Sequence, residues 1–290
     1  MKNLATHLAK EENQSGAGGL RLLHHMWLLL KEQLKQPFYT LYQHRLEVKA
    51  RSWNLPLHVG IIMDGNRRYA RRSGLLNVNE GHALGADKLL EVVRWCFDMD
   101  ISVVTVWGLS LDNLNRDPLE LKGLLDLMET RFQELVHHED VHRYQVRIRY
   151  IGKRGVLPES LGQAVCAAEE ATAHYDSFVL NIAVAYGGRE EITEAFRSYL
   201  QDQQERGRSL KQIADNMEVS SITPYLYTAG QPEPDLIIRT SGETRLSGFL
   251  LWQSAYSEYY FCDTYWPVFR KIDFLRALRS YSQRQRRMGR

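Results

Sequence analysis

The amino-acid sequence predicts an α/β fold, in which an open, mostly parallel sheet of six strands is flanked by helices within a single domain. Beyond Pro56, short β-branched runs alternate with longer stretches of helical period, the pattern of repeated strand–helix units. The 290 residues are 44% hydrophobic and 25% charged, which is typical of a globular protein that buries a sizeable core without disulfides or structural metals. The chain shows no internal repeat.

Six short runs have the length and composition of strands, and the segments between them have helical period. The strands are predicted at residues 57–63, 101–107, 145–151, 178–185, 235–240 and 258–261. The helices are predicted near residues 81–98, 117–138, 159–174, 188–204, 209–218 and 271–285, with a further helix opening after the first strand. In such a sheet, ligands bind outside the carboxyl ends of the strands.

Residues 1–56 are predicted to be an N-terminal extension to the domain formed by residues 57–290. A polar leader ends in the glycine-rich segment 16–19, and residues 20–49 have the composition of an amphipathic helix interrupted near Pro37. This helix is expected to pack on the domain, and peripheral contact with a membrane surface is the alternative. The longest apolar run near the N-terminus, residues 26–30, is far too short to span a bilayer.

Charge and cysteine content narrow the classes of partner and compartment. Lys and Arg number 37 against 35 for Asp and Glu, a balance that argues against nucleic acid as a partner. Cys96, Cys166 and Cys262 are far apart and form no C-x-x-C pair, so neither a disulfide framework nor a zinc site is indicated. The absence of an apolar signal segment at the start of the chain also favours the cytoplasm.

The segment that follows the first strand, residues 64–72, has the sequence Asp-Gly-Asn-Arg-Arg-Tyr-Ala-Arg-Arg. Four arginines at the start of a helix predict a site for phosphate oxygens. Asp64 would repel such a ligand unless a hard cation lay between them, which points to Mg²⁺. The same residues are equally compatible with a capped helix that carries a solvated basic face.

Two further strand ends carry polar residues. Residues 108–116, which follow the second strand, contain Ser, Asp, Asn and Arg suited to ligand contacts or to ordinary turn chemistry. Residues 239–247, at the end of the fifth strand, form a second local anion site with two arginines and intervening hydroxyls. Glu258 opens the last strand and is either a second carboxylate for a metal near Asp64 or a surface residue. The histidines near the end of the 117–138 helix are expected to complement its dipole rather than to bind metal.

Residues 58–70, 235–247 and 249–253 together resemble the cis-prenyltransferases, the undecaprenyl diphosphate synthase family. The resemblance runs from about residue 57 to the end of the chain, and residues 181–189 and 287–289 also fit. It implies a homodimeric enzyme that condenses isopentenyl diphosphate with an allylic diphosphate in the presence of Mg²⁺, forming a Z double bond.

The resemblance also implies residue roles. Asp64 would be the essential catalytic aspartate and, with Glu258, a metal ligand. Asn113 stands where the family's proton acceptor is assigned, but a neutral amide is a feeble base, so we expect it to orient a diphosphate oxygen that takes the proton. The allylic substrate would be bound by Gly65, Asn66, Arg67, Arg68, Tyr69, His82, Ser110, Leu114 and Arg116. Isopentenyl diphosphate would be bound by Arg239, Arg245, Leu246, Ser247, Arg287 and Gly289.

Departures from the family pattern leave parts of this assignment open. Arg67 and Tyr69 stand where many members of the family have glycine and tryptophan. The arginine that usually precedes His82 is also missing, and Arg67, Arg71 or Arg72 is expected to take its place in binding the allylic substrate. Residues 34–45 and the final stretch of the chain resemble the branch of the family that makes the short product Z-farnesyl diphosphate, whereas the small Gly108 leaves room for a longer product. An apolar tunnel or ordinary core packing would explain the leucines at positions 119, 121, 124, 125 and 127. A noncatalytic partner subunit of a two-chain prenyltransferase is the alternative function.

Overall fold

The computed structural model describes residues 39–284 and contains one six-stranded sheet in the order β3-β4-β2-β1-β5-β6. The strands are β1 His58–Ile62, β2 Val103–Trp107, β3 Val146–Ile151, β4 Phe178–Ala183, β5 Leu236–Arg239 and β6 Glu258–Phe261. Every pairing in the sheet is parallel. The prediction of an open parallel sheet flanked by helices is confirmed.

Residues 39–50 are helical and form α1, in a unit of the chain that ends at Arg51, and a second unit begins at Ser52. The helices of the second unit are α2 Asn66–Arg72, α3 Val78–Phe97, α4 Pro118–Leu135, α5 Glu139–Arg143, α6 Glu159–Thr172, α7 Gly188–Glu205, α8 Leu210–Asp215, α9 Val219–Ile222 and α10 Lys271–Ser282. No helix within residues 39–284 is long and apolar enough to cross a bilayer. The predicted domain boundary after residue 56 lies five residues beyond the division at Arg51.

Helix caps explain most differences from the predicted boundaries. Helix α3 begins three residues earlier than predicted because the side chain of Asn77 accepts a hydrogen bond from the Glu80 N–H. The predicted helix 117–138 ends at Leu135, and His138 caps the separate helix α5. The predicted helix 209–218 is divided into α8 and α9, which have capping boxes at Ser209 and Glu218.

The position of β1 in the sheet creates a crevice. From β1 the chain adds β2, β4 and β3 on one side, and it returns to the other side for β5 and β6. Ile62 of β1 pairs with Trp107 of β2 and with Arg239 of β5, so the carboxyl ends of these three strands are adjacent. An open α/β sheet binds ligands at such a reversal of strand order.

The central strands are buried on both faces, which is why their sequences are continuous apolar runs rather than alternating ones. One face packs against a cluster that includes Tyr186, Phe249 and Leu250. Trp107 stacks on Phe249 with ring centroids 5.3 Å apart. This cluster places the chain segment after Arg239 against the ends of the strands.

A buried polar chain crosses the same face of the sheet. His58 Nδ1 donates to the Pro232 carbonyl at 2.7 Å, and its Nε2 accepts from the Thr105 hydroxyl at 2.8 Å. Thr105 in turn accepts from Asn181, whose amide pairs with Gln231. Burial lowers the pKa of His58 to about 4, so the ring is neutral at pH 7 and links β1, β2 and β4 without a buried charge.

We expect the protein to lose stability in mild acid. His58 and His82 both have pKa values of about 4 in the folded protein against 6.5 when exposed, so the unfolded chain binds more protons between these values. Urea unfolding at pH 5 should give a free energy roughly 2 kcal/mol lower per histidine than at pH 7. In a His58→Asn variant the pH-dependent part should shrink by about that amount, and an unchanged pH dependence would contradict the buried neutral ring.

Candidate active site

A polar cavity of about 460 Å³ lies at the carboxyl ends of β1, β2 and β5, at the crevice defined by the strand order. Five arginines and two carboxylates line it, so its lining carries net positive charge. These charged residues are Arg67, Arg68, Arg71, Arg116, Arg239, Asp64 and Asp112. A cavity of this composition suits a ligand with several negative charges.

Asp64 is held at the cavity wall by its main chain. Its carbonyl accepts hydrogen bonds from the Thr240 hydroxyl at 2.7 Å and from the Trp266 N–H at 3.1 Å. Its carboxylate accepts from Arg239 Nη2 at 2.9 Å and lies 3.5 Å from Arg68 Nη2. The side chain keeps 29% of its surface exposed, so a ligand in the cavity can reach it.

Gly65, between Asp64 and α2, adopts a conformation that only glycine tolerates well. Its φ is 107°, and a Cβ atom there would lie 2.8 Å from the Tyr265 ring and 2.9 Å from Ser241. Helix α2 therefore starts directly beneath the cavity, with Asn66, Arg67 and Arg68 in its first turn. Both the backbone conformation and the lack of space for a Cβ atom require glycine at this position.

The segment after β5 surrounds a buried arginine. The side chain of Arg239 is only 5% exposed, and its guanidinium donates to Asp64, to the Ser247 hydroxyl at 2.9 Å and to the Arg245 carbonyl. Ser247 lines the cavity, whereas the Arg245 side chain is exposed and pairs with Glu243. The predicted second anion site thus presents Arg239 and Ser247 to the cavity.

Glu120 lies behind the lining of the polar cavity and contacts three of the predicted allylic-site residues. Its Oε1 lies 3.2 Å from Arg67, 3.3 Å from Arg116 and 3.9 Å from His82. Burial, together with the charges of Arg116 and Arg67, lowers the pKa of His82 to about 4. His82 is therefore a neutral ring beside two cations at pH 7.

The loop after β2 brings the third group of polar side chains. The Asn113 N–H donates to the Ser110 carbonyl at 3.1 Å and to its hydroxyl at 3.2 Å, which opens the short helix of residues 112–115. Both side chains line the cavity with Arg116. Residues predicted from three separate strand ends therefore share one cavity.

Some predicted site residues lie elsewhere. Of the predicted residues, Asp64, Gly65, Asn66, Arg67, Arg68, His82, Ser110, Asn113, Arg116, Arg239 and Ser247 line the polar cavity. Tyr69, Leu114, Arg245 and Leu246 do not line it, and Leu246 packs against the apolar cluster beneath the sheet ends instead. Arg287 and Gly289 lie outside the described residues.

Glu258 does not approach Asp64 within a single chain, so its role as a second carboxylate for a metal there stays a prediction. Glu258 pairs with Leu236, at the amino end of β5, whereas Arg239 at its carboxyl end contacts Asp64. These positions are three residues apart along a parallel strand, or about 10 Å, so Glu258 lies toward the amino ends of the strands and Asp64 at their carboxyl ends. Its carboxylate pairs with Arg284.

A second, apolar cavity of about 110 Å³ adjoins the polar one and lies between the sheet and helices α3 and α4. The two cavities share Met63, Asn66, His82 and Gly108, so they lie side by side. Of the five leucines predicted to line a tunnel, Leu124 and Leu127 line this cavity. The other three do not, and Leu119 is 81% exposed.

Three residues in or directly behind the cavity wall were missed in the sequence. Glu120 resembled an ordinary acidic residue in the first turn of a helix that Asp117 caps. Trp107 resembled a core residue at the end of a strand, yet it also lines the polar cavity. Met63 lies at the junction of the two cavities. The only feature of the sequence that could have identified Met63 and Trp107 as cavity residues is their position at the ends of predicted strands.

An arginine-lined cavity that adjoins an apolar one, at the strand reversal of a parallel sheet, defines an enzyme site for an anionic group attached to an apolar chain. The family described as "Putative undecaprenyl diphosphate synthase" matches residues 62–289. The chain belongs to this family, and it is a cis-prenyltransferase.

Individual relatives agree with the family. The chain is 51% identical over 255 residues to a tritrans,polycis-undecaprenyl-diphosphate synthase (geranylgeranyl-diphosphate specific) of Methanopyrus kandleri, covering 88% of this chain and 92% of the relative. It is 49% identical over 256 residues to a (2Z,6E)-farnesyl diphosphate synthase of Thermobifida fusca, covering 88% and 98%. The crystal structure of lavandulyl diphosphate synthase from Lavandula x intermedia, in complex with dimethylallyl diphosphate, superposes with a TM-score of 0.73 at 35% identity, covering 81% of this chain and 99% of that one.

We expect Gly65→Ala to reduce both stability and prenyl transfer. A Cβ atom at a φ of 107° costs roughly 1–3 kcal/mol in backbone strain, and the contact with Tyr265 adds a displacement of Asp64. Gly74→Ala is the matched control, because Gly74 has a φ of 68° with nothing within 4 Å. Urea unfolding and activity assays should show a stability loss in both variants and an activity loss only at Gly65.

Proposed function

We propose that this chain condenses isopentenyl diphosphate with an allylic diphosphate to give a Z-prenyl diphosphate. The position of the arginine-lined cavity directly beside the apolar cavity carries this proposal. The charged groups of both substrates would occupy the first cavity, and the growing hydrocarbon chain would enter the second past Gly108. This arrangement keeps charge and hydrocarbon in separate environments.

The allylic diphosphate is assigned to the wall formed by α2, His82 and the loop after β2. Arg67, Arg68 and Arg116 surround this part of the cavity with positive charge, and Gly65 and Asn66 place the main chain beside it. Arg71 also lines the cavity, whereas Arg72 does not, which favours Arg67 and Arg71 as substitutes for the missing family arginine.

Isopentenyl diphosphate is assigned to the wall formed by Arg239 and Ser247. The buried guanidinium of Arg239 is fixed by Asp64, Ser247 and the Arg245 carbonyl, so it is oriented before substrate arrives. A preoriented cation stabilises a diphosphate without reorganisation at the moment of reaction. Arg245, Arg287 and Gly289 would join this site only through rearrangement or through the C-terminal residues, and their roles stay predictions.

The residues around Asp64 fit a magnesium ion. Residues 39–284 contain no group of three His, Cys, Asp or Glu side chains that could hold a metal alone. Mg²⁺ is commonly bound by one or two carboxylates with substrate phosphates and water, and the partly exposed Asp64 carboxylate among arginines matches that donor set. When bound, the ion would neutralise charge on the departing diphosphate.

The remaining chemistry requires orientation rather than a protein nucleophile. The allylic carbon–oxygen bond breaks, diphosphate leaves, the isopentenyl double bond attacks the allylic carbon, and a proton is lost. Arg67, Arg68 and Arg239 hold the two diphosphates close together, which converts the encounter into an oriented reaction. Asn113, which lines the cavity, would orient a diphosphate oxygen that accepts the proton.

The alternative of a noncatalytic partner subunit receives no support from the site. Such a subunit would have no need for a carboxylate held by Arg239 and Arg68 at the wall of an anion-binding cavity. Both anion-binding walls and the apolar cavity are present in this single chain.

We also propose that the enzyme is a homodimer joined near β6. This edge strand has no partner on its outer side within the described sheet, and aromatic residues are partly exposed along it. Tyr256 is 66% exposed and Phe261 is 39% exposed. A cytoplasmic location and peripheral membrane contact through the N-terminal extension stay predictions.

We expect Asp64→Asn to lower the condensation rate at least about a hundredfold, because the neutral amide cannot hold a divalent cation or balance Arg239. Asp112→Asn is the matched control, since Asp112 is a second carboxylate on the wall of the same cavity, and it should keep nearly full activity. Incorporation of labelled isopentenyl diphosphate by the purified chain measures both. An active, folded Asp64→Asn protein would overturn the metal role.

Product length should depend on the junction between the two cavities. A Cβ atom at Gly108 would lie 3.3 Å from the flexible end of Met128, so alanine is tolerated there and leucine would fill the passage. Gly108→Leu should therefore give shorter products than the parent, and Gly108→Ala should keep the parent distribution. Chromatography of products made from labelled isopentenyl diphosphate, with geranyl or farnesyl diphosphate as primer, measures both. Equal lengths in all three proteins would contradict this passage.

A further inference from the structure

Glu191 is a carboxylate in the interior of the protein, on the first turn of α7. Its exposed fraction is 1%, and among the described residues no Lys or Arg pairs with it. It accepts hydrogen bonds instead from the Tyr186 hydroxyl, from the Tyr227 N–H at 2.9 Å and from Gln253 at 2.9 Å. Burial of a carboxylate without a cation beside it is costly. The three donors would lack partners in the interior without Glu191, so the carboxylate serves as their hydrogen-bond acceptor.

The Tyr186 hydroxyl connects Glu191 to the main chain at Leu250. It donates to Glu191 and accepts from the Leu250 N–H at 3.2 Å. A hydroxyl has one proton, and Tyr186 donates it to Glu191, so the hydroxyl oxygen is left to accept from the main chain. The lone pairs of Tyr186 are thereby kept toward Leu250.

Leu250 ends a segment, residues 245–250, whose backbone needs such support. Ser247, Gly248 and Leu250 have φ values of 53°, 94° and 46°. Non-glycine residues keep left-handed conformations only where surrounding contacts hold them. Here the Gly188 N–H donates to the Gly248 carbonyl at 2.9 Å, which is a second contact from the start of α7.

The same segment carries one wall of the polar cavity. Ser247 lines the cavity and accepts from Arg239 Nη1, and the Arg245 carbonyl accepts from the same nitrogen. A shift of Leu250 would therefore move the acceptors that orient Arg239.

Tyr186 also touches the other substrate loop, but through different atoms. Its N–H donates to the Leu109 carbonyl at 3.2 Å, and its carbonyl accepts from the Leu111 N–H at 3.1 Å. These main-chain contacts support the loop that carries Ser110 and Asn113, and they do not involve the hydroxyl. Removal of the hydroxyl alone should therefore affect one loop and leave the other in place.

We propose that Glu191, acting through the Tyr186 hydroxyl, is a positioning residue that holds residues 245–250 in the conformation needed to bind isopentenyl diphosphate. The proposal rests on the assignment of Arg239 and Ser247 to that substrate. It assigns a function to a buried carboxylate that lies away from the cavity wall.

Steady-state kinetics of Tyr186→Phe and Glu191→Gln test the proposal. Loss of one hydrogen bond to a charged group should raise the KM for isopentenyl diphosphate about tenfold, while the KM for the allylic diphosphate changes less than about twofold. Tyr227→Phe and Glu194→Gln are matched controls. Glu194 lies on α7, as Glu191 does, and accepts a hydrogen bond at 2.9 Å from the Tyr227 hydroxyl. Both controls should leave the two KM values unchanged.

A purely structural role would lower thermal stability and raise both KM values together, and that result would overturn the proposal. Ser247→Ala separates the proposal from the assigned function. If Ser247→Ala raises the KM for isopentenyl diphosphate and Tyr186→Phe does not, the positioning role fails and the function stands. If Ser247→Ala leaves that KM unchanged, the substrate assignment of this wall fails, and the positioning role fails with it. Non-additive effects on this KM in the double variant Tyr186→Phe, Glu191→Gln would support the coupling between the two residues.

Discussion

The site depends on the buried contact between Arg239 and Asp64. Burial of a guanidinium is costly unless oxygen acceptors surround it, and Arg239 has three: the Asp64 carboxylate, the Ser247 hydroxyl and the Arg245 carbonyl. Because Asp64 follows β1 and Arg239 ends β5, the contact spans the point where the strand order reverses. The positions of both substrate walls are therefore linked through one side chain.

Around this contact the protein separates charge from hydrocarbon. Arginines from α2, from the loop after β2 and from β5 line the polar cavity, and helices α3 and α4 enclose the apolar one. Close approach of α2 and α3 makes the boundary narrow: a Cβ atom at Gly85 would lie 2.6 Å from Asn66 Oδ1. Asn66 consequently lines both cavities, at the boundary between the polar and the apolar one.

The sequence predicted most of the fold and much of the site because both depend on local patterns. Short runs rich in β-branched and aromatic residues identified all six strands, and polar residues at or beyond their carboxyl ends identified Asp64, Asn113 and Arg239. Glu258 opens β6 at the amino end of the parallel sheet, so within one chain it lies away from Asp64, which follows the carboxyl end of β1. Glu120 was missed because its significance comes from Arg67 and His82, which belong to other helices.

The sequence by itself determined the alternation of strands and helices, the residues at each strand end and the family to which they belong, since these follow from spacing and residue type. Only the tertiary structure decided that Arg239 is buried against Asp64, that His82 and His58 are neutral, and that the Tyr186 hydroxyl lies between the buried Glu191 carboxylate and the Leu250 N–H. Burial, pKa and hydrogen-bond direction depend on residues far apart in the chain, and the strand order and register of the folded sheet bring them together.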